Sequence, residues 1–245
     1  MLESARVNGK INQIYQRKPM ASWNTSAELF DYLASTANDQ PEEEKLPTIK
    51  SLSEELDIGV SRLREQIEVA KALGLIEVRP RTGMRRLEYK FSPAVWQSLA
   101  YAVEINPDHF KAFSDLRRHT EMAYWSQAVS ALEPQDHQRL QKLMDQAWGK
   151  LRGTPVRIPH KEHRQLHLTI FRRLNNPFVI GILEAYWKAY EAVGLNLYAD
   201  YEYLQEVWTY HQQMVTAICS GDFEAGYRAL SEHADLLYHR PETSS

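Results

Sequence analysis

Four histidines, His163, His167, His211 and His233, are the residues whose type and spacing point most directly to chemistry. His163 and His167 are four apart, so on a helix they project from one face. His211 lies ten residues before Gly221 and His233 twelve after it. In a helical hairpin turning at Gly221, residues at near-equal distance from the turn share a height. His211 and His233 then face each other, and the helix bearing His163 and His167 can pack beside them. Four imidazoles converging inside a bundle make a site for a first-row divalent ion. The plain alternative is a set of unrelated core or surface histidines, because nine histidines produce such spacings by chance. Arg164, Gln165 and Leu166 separate the first pair, so the glutamate of a zinc-protease helix is missing, which speaks against metal-assisted hydrolysis.

A helical region must position these side chains. After about Gln97 strand signals vanish, and helices are expected at about 94–105, 108–131, 134–149, 160–174, 177–199, 201–219 and 222–238. Breaks fall at Asn106-Pro107, Glu133-Pro134, Gly153 to Pro159, Asn175 to Pro177 and Gly221. Asp108, Asn176 and Asp222 are expected as caps. Short-looped helices of this length form an antiparallel bundle. The aromatic residues of this part are expected mostly in the core or a subunit interface, with a few polar tips lining a pocket.

The other organised stretch is Leu46 to Lys90. Ser51 followed by Glu54 has capping-box spacing before Leu52, Leu56 and Ile58. Asp57 to Gly59 breaks the pattern. A second helix runs from about Val60 to Leu73, with Leu63, Ile67 and Ala70 on one face, and Gly74 stops it. Leu75 to Val78 reads as a strand, Pro80 to Gly83 as a turn, and Leu87 to Tyr89 as the return strand. A helix over about Ser26 to Ala37 precedes them, and Asn38 to Lys45 is an acidic loop. Helix, turn, helix and hairpin in this order make a winged helix-turn-helix. Nine basic residues stand here against seven acidic ones, although the chain of 245 residues carries a net −3. Arg79, Arg81, Arg85, Arg86 and Lys90 crowd the hairpin, beside a helix bearing Arg62 and Arg64. A basic wing and a basic helix are what phosphate neutralisation and groove entry require. A solvated basic hairpin on an unrelated domain is the alternative.

The 43% hydrophobic and 25% charged residues suit a soluble globular protein. One cysteine, Cys219, excludes an intramolecular disulfide and suits a reducing compartment. It reads as a small core residue. The first 22 residues are polar without the apolar core of a signal segment, and no run of about 18 apolar residues occurs, so a cytoplasmic protein without a membrane span is expected. The expected organisation is mainly α: a tail over 1–23, a winged helix-turn-helix over 24–90, a linker helix over 91–105 and an all-helical domain over 106–240.

The stretch resembles the DNA-binding domain of GntR-type bacterial transcription regulators. The matching frame is Leu46-Pro47-Thr48, Leu52-Ser53-Glu54, Leu63-Arg64-Glu65, Gly74-Leu75-Ile76 and Gly83. The resemblance implies that Lys50 and Arg64 approach the operator, with Arg62 a turn or less away. Gly59-Val60 stands where the family has a small hydroxyl residue and an arginine. The C-terminal part resembles the ligand-sensing FCD domain of the FadR branch, through Arg117 with Glu121, Leu166-His167 with Asn176-Pro177, His211 with Ala217-Ile218 and Gly221-Asp222, and His233. In that family one Asp and three His hold a metal, and small carboxylates take the open positions. His167, His211 and His233 match, while His163 stands at the aspartate position. An all-imidazole set implies zinc, with nickel as the alternative, over manganese or magnesium. Arg117 resembles the arginine that holds an effector carboxylate, and the alternative is a surface salt bridge with Glu121 at i+4.

The function expected is that of a sequence-specific regulator and not an enzyme. A homodimer binds a short palindromic operator in double-stranded DNA; Lys50, Arg62 and Arg64 approach it from the helices, and Arg81, Arg85 and Arg86 from the wing. A small organic acid bound at the metal and Arg117 alters operator affinity. Two other classes stand beside this one. A metalloenzyme with an accessory winged module needs a general base, for which Glu162 and Glu232 are the carboxylates near in sequence. A DNA-binding protein with a purely structural metal needs no effector.

Overall fold

The computed structural model describes residues 28–38, 45–193 and 200–236. The tail expected over 1–23, most of the acidic loop and the helix ends expected over 194–199 and 237–238 lie outside the described residues. The protein is mainly α, a winged helix-turn-helix followed by a helical bundle, and it divides into two compact units, 1–88 and 89–245.

The first unit holds α1 (Glu28–Ser35), α2 (Ile49–Glu55), α3 (Val60–Ala72), β1 (Ile76–Arg79) and β2 (Gly83–Arg86). Leu63, Ile67 and Ala70 recur at helical spacing on α3 and bury that face against Leu29, Leu52 and Ile76. The start of α2 differs from the expected cap. Thr48 is extended, and its hydroxyl accepts the Ser51 N–H at 3.2 Å, so Thr48 is the cap and Ser51 lies within the first turn. Gln66, itself buried, accepts the Leu29 N–H at 2.8 Å and donates to Glu28 at 2.6 Å, which ties α1 to α3. The return strand also differs, beginning at Gly83 rather than Leu87. Arg81 (φ 68°) and Gly83 (φ 87°) both take the left-handed conformation. They close the turn quickly enough that pairing starts at Arg79↔Gly83 and runs to Ile76↔Arg86. Leu46 donates its N–H to the Met84 carbonyl at 2.9 Å, adding an outer rung to this hairpin.

The second unit holds α4 (Ser92–Ile105), α5 (Asp108–Ser130), α6 (Pro134–Leu151), α7 (His160–Phe171), α8 (Pro177–Ala192), α9 (Tyr201–Ser220) and α10 (Phe223–Leu236). Asn176 caps α8, its side chain accepting from the N–H groups of Phe178 and Val179. Asp222 accepts the Ala225 N–H at 3.0 Å at the start of α10. Asp108 is not a cap: it is the first residue of α5, and the Asn106 side chain accepts its N–H at 3.0 Å. Gly221, at φ 80°, closes the hairpin between α9 and α10.

The helix expected as a linker, α4, packs on α8 in this unit. The crossing is close at Gly181, where an added Cβ would lie 2.6 Å from the Cβ of Phe91 and 2.7 Å from the backbone nitrogen of Ser92. Backbone cannot swing aside as a side chain can. Gly181→Ala should therefore destabilise the protein by about 1–3 kcal/mol. At Gly149, also within a helix, an added Cβ meets nothing within 4 Å. Gly149→Ala should stabilise by about 0.5–1 kcal/mol, because alanine restricts the unfolded chain. Urea unfolding of the two variants measures both, and equal effects would contradict the crossing argument.

Candidate metal centre

The bundle brings all four histidines together. His163 and His167 leave one face of α7, His211 comes from α9 and His233 from α10. Their nearest ligand atoms all lie within 4.8 Å of one another. The rings of His211 and His233 are 4.2 Å apart, centroid to centroid, as expected for a hairpin turning at Gly221. His167 and His211 have no exposed surface, and His233 is buried.

Arg117 Nη2, which can only donate, lies 2.9 Å from His167 Nδ1. The same Nη2 lies 3.3 Å from His167 Nε2, Glu121 Oε1 lies 3.2 Å from His167 Nδ1, and His167 Nε2 lies 3.0 Å from His211 Nε2. His211 Nδ1, His163 Nε2 and His233 Nδ1 are buried without a hydrogen-bond partner. An unpartnered polar atom in the interior costs about 1–3 kcal/mol. Three of the four histidines each carry such an atom, in a cluster whose ligand atoms lie within 4.8 Å of one another. Two imidazoles on one tetrahedral zinc sit about 3.3 Å apart, nitrogen to nitrogen, which the 3.0 Å contact approaches. The donor set fits zinc, nickel, cobalt or copper and not magnesium or calcium.

Burial holds all four imidazoles well below their usual 6.5, assisted by neighbouring imidazoles or by Arg117. They are therefore neutral near pH 7, the form in which imidazole ligates. The charged groups behind them come from α5. Arg117 Nη2 lies 2.8 Å from Glu121 Oε2, and both residues are buried. The two form an ion pair in the interior. Burial raises the Glu121 carboxyl, and Arg117 offsets only part of that rise. The guanidinium also lies over the rings of Tyr186 (4.9 Å) and Trp187 (5.6 Å).

Sequence reasoning could not choose among the aromatic residues, and the structure does. Trp187 packs edge-on at 4.6 Å from the His163 ring, and Trp208 lies 4.8 Å from His211. Trp187 Nε1 is a buried donor without a partner beside the histidines. Its neighbour Tyr186 has its phenol pushed up by burial. No periodicity distinguishes these rings from ordinary core residues, since α8 and α9 carry aromatic residues at every degree of burial. Glu121, at i+4 from Arg117, was legible only as its salt-bridge partner.

The basic residues of the first unit are placed unequally. Arg64 is exposed on the first turns of α3 and has no ion-pair partner among the described residues. Arg62 instead pairs with Glu28 at 2.6 Å. Lys50 lies 4.0 Å from Glu54 with both side chains largely exposed. Arg81 stands exposed at the tip of the hairpin. Arg85 is half-buried opposite Glu77. Arg86 is a correction to the expectation of a phosphate contact: it is buried and donates to the Thr36 hydroxyl. The cause is strand alternation, which turns Met84 and Arg86 to the inner face and Arg85 to the other.

The FCD domain family matches residues 113–236. No curated protein matches the sequence. Among solved structures, Streptococcus agalactiae GntR superposes with a TM-score of 0.62 at 18% identity, covering 86% of this chain and 97% of that one. E. coli McbR/YncC gives 0.46 at 18% identity, over 88% and 96%. A transcriptional regulator of the GntR family from Pseudomonas syringae pv. tomato str. DC3000 gives 0.38 at 14%, over 84% and 78%. The likeness to the Streptococcus structure is one of fold.

Proposed function

This chain belongs to the FCD domain family, and from that membership we propose that it is a transcriptional regulator whose operator affinity is set by a small carboxylate bound in the helical unit. The observation that carries this reading is the cluster of four neutral, inward-facing imidazoles backed by a buried arginine. His163, His167, His211 and His233 hold a divalent transition metal, zinc or nickel, which when bound supplies a Lewis-acidic position for a carboxylate oxygen. Arg117 offers the carboxylate a second, charge-assisted contact, and the orphan N–H of Trp187 a third. The effector shifts operator affinity only by its differential affinity for the two arrangements of the protein.

Of the carboxylates near the histidines, Glu121 lies 3.2 Å from His167 Nδ1 and is paired with Arg117 at 2.8 Å. Glu162 is engaged by Lys150 at 2.7 Å, and Glu232 is exposed. A homodimer is supported by the outer face of α4 and α5. Tyr101 and Ile105 are 70% and 60% exposed there, beside an apolar groove of about 600 Å³ that includes Leu99, Phe113 and Leu116. Two-fold symmetry then suits a palindromic operator. No helix among the described residues is long and apolar enough to cross a membrane, and the proposed place of action is the cytoplasm.

On DNA, Arg64 is the base-reading candidate of α3, with Lys50, Arg81 and Arg85 as phosphate contacts. Arg62 positions α3 through Glu28. Selection of bound duplexes from a random library tests the reading: an enriched short palindrome supports it, and only salt-sensitive bulk binding would contradict it. On the selected duplex Arg64→Ala should weaken binding by about 1–3 kcal/mol. Arg86→Ala should leave the salt dependence of binding unchanged and lower thermal stability instead. The reverse pattern would return Arg86 to the phosphate contacts.

A second reading has one observation in its favour. Four protein ligands complete a tetrahedral ion, as in structural zinc sites, and leave no open position. Nickel in six-fold coordination keeps two. X-ray absorption of the metal-loaded protein separates the readings by coordination number.

A further inference from the structure

A groove of about 730 Å³ runs between α6 and the start of α7, outside the histidine cluster. Five cations line it: Arg139, Lys142, Lys150, Arg157 and Lys161. The single acid, Glu162, is 5% exposed and already engaged by Lys150 at 2.7 Å. The other four cations are exposed and have no ion-pair partner among the described residues. They gather in a chain whose net charge is −3.

Helix geometry separates this groove from the metal centre. Lys161 and Gln165 share one face of α7, two residues and about 200° around the axis from His163 and His167. On α6, Arg139, Lys142 and Gln146 follow one another at spacings of three and four and form the facing wall. Among the lining residues only Leu143 is a large apolar one. Gln146 and Gln165 add amide donors and acceptors.

Like charges held in one groove repel, and the one acid of the walls, Glu162, is already taken by Lys150. An anion seated among them would relieve that repulsion. A monocarboxylate satisfies one cation and fills a small part of this volume, which lies in the range of whole small-molecule sites, about 300–1,000 Å³. Mixed arginine and lysine with little apolar wall suits phosphate groups, which take bidentate arginine contacts and lysine point charges alike.

We infer that this groove is a second ligand site of the helical unit, separate from the metal centre, and takes a small anion carrying two or more phosphate groups. Inorganic tripolyphosphate is the probe. Calorimetry uses the full chain at about 150 mM salt, so that weak surface attraction is screened. A chelator is present throughout, because polyphosphate sequesters metal ions. One saturable site per chain is expected, weakened about tenfold or more by the double reversal K142E/K161E. The double reversal K111E/R228E, at exposed positions outside the groove, should leave affinity within about twofold. No saturable binding, or equal weakening by both pairs, overturns the assignment. So does groove-dependent retention of mixed-sequence duplex DNA without tripolyphosphate binding, which would make the groove a DNA-backbone contact.

Discussion

Replacing Glu121 with alanine should cost about 3–5 kcal/mol, more than removing its partner Arg117. The two lie 2.8 Å apart with almost no exposed surface. The asymmetry comes from what each leaves behind. Glu121→Ala strands a guanidinium in the interior, and guanidinium groups keep their proton in proteins. The rings of Tyr186 and Trp187 and the acceptor on His167 compensate it only in part. Arg117→Ala strands a carboxyl that burial already drives toward its neutral form. That carboxyl takes up a proton, and the loss falls to about 1–3 kcal/mol for a buried neutral polar group. Urea unfolding followed by tryptophan fluorescence measures both, since Trp187 stands at the site. An Arg117→Ala variant as unstable as Glu121→Ala, or more so, would show that the carboxylate is not there to hold the arginine.

In the presence of a chelator, thermal stability should be nearly flat between about pH 8 and pH 7 and fall steeply below about 6.5. All four histidines are held well below 6.5 in the folded chain, first of all by burial. In the unfolded chain they protonate at their ordinary value. Below 6.5 the unfolded state therefore binds more protons, and stability that is fully present above 6.5 is lost as pH falls. Each histidine contributes about 1.4 kcal/mol per pH unit until its folded value is reached. Glu121 runs the other way: its raised carboxyl adds stability as pH falls toward its ordinary 4.5. One group of opposite sign offsets a quarter of four, so the net slope keeps the sign of the histidines. Zinc at one hundred times its dissociation constant should add about 2.7 kcal/mol at pH 7. Scanning calorimetry from pH 8 to 5, with zinc and with chelator, gives both numbers. A melting temperature independent of pH between 7 and 5 would mean that the histidines are not buried as a neutral cluster.

Much of the architecture was readable because it is written in period and punctuation. Leu63, Ile67 and Ala70 specify the buried face of α3, and Gly74 and Gly221 end helices by taking φ values that cost other residues energy. The convergence of His211 and His233 followed from their distances to Gly221 alone. What failed depended on backbone conformation or on neighbours distant in sequence. Thr48 rather than Ser51 caps α2 because it is Thr48 that is extended. The return strand begins at Gly83 because two left-handed residues shorten the turn. Arg86 looked like one more wing arginine, and only the strand pairing shows which face it takes. Gly181 is an unremarkable helical glycine until Phe91 and Ser92 are brought against it.

The central claim, that His163, His167, His211 and His233 hold one metal ion, is tested most directly by metal content. The full chain is loaded with zinc at pH 7.5, passed through a desalting column with weak chelator and analysed by plasma mass spectrometry, beside the double variant His211→Ala/His233→Ala. About one zinc per chain in the wild type and essentially none in a variant that still melts cooperatively is the result predicted. No retained zinc in the wild type, or equal amounts in both proteins, would contradict it.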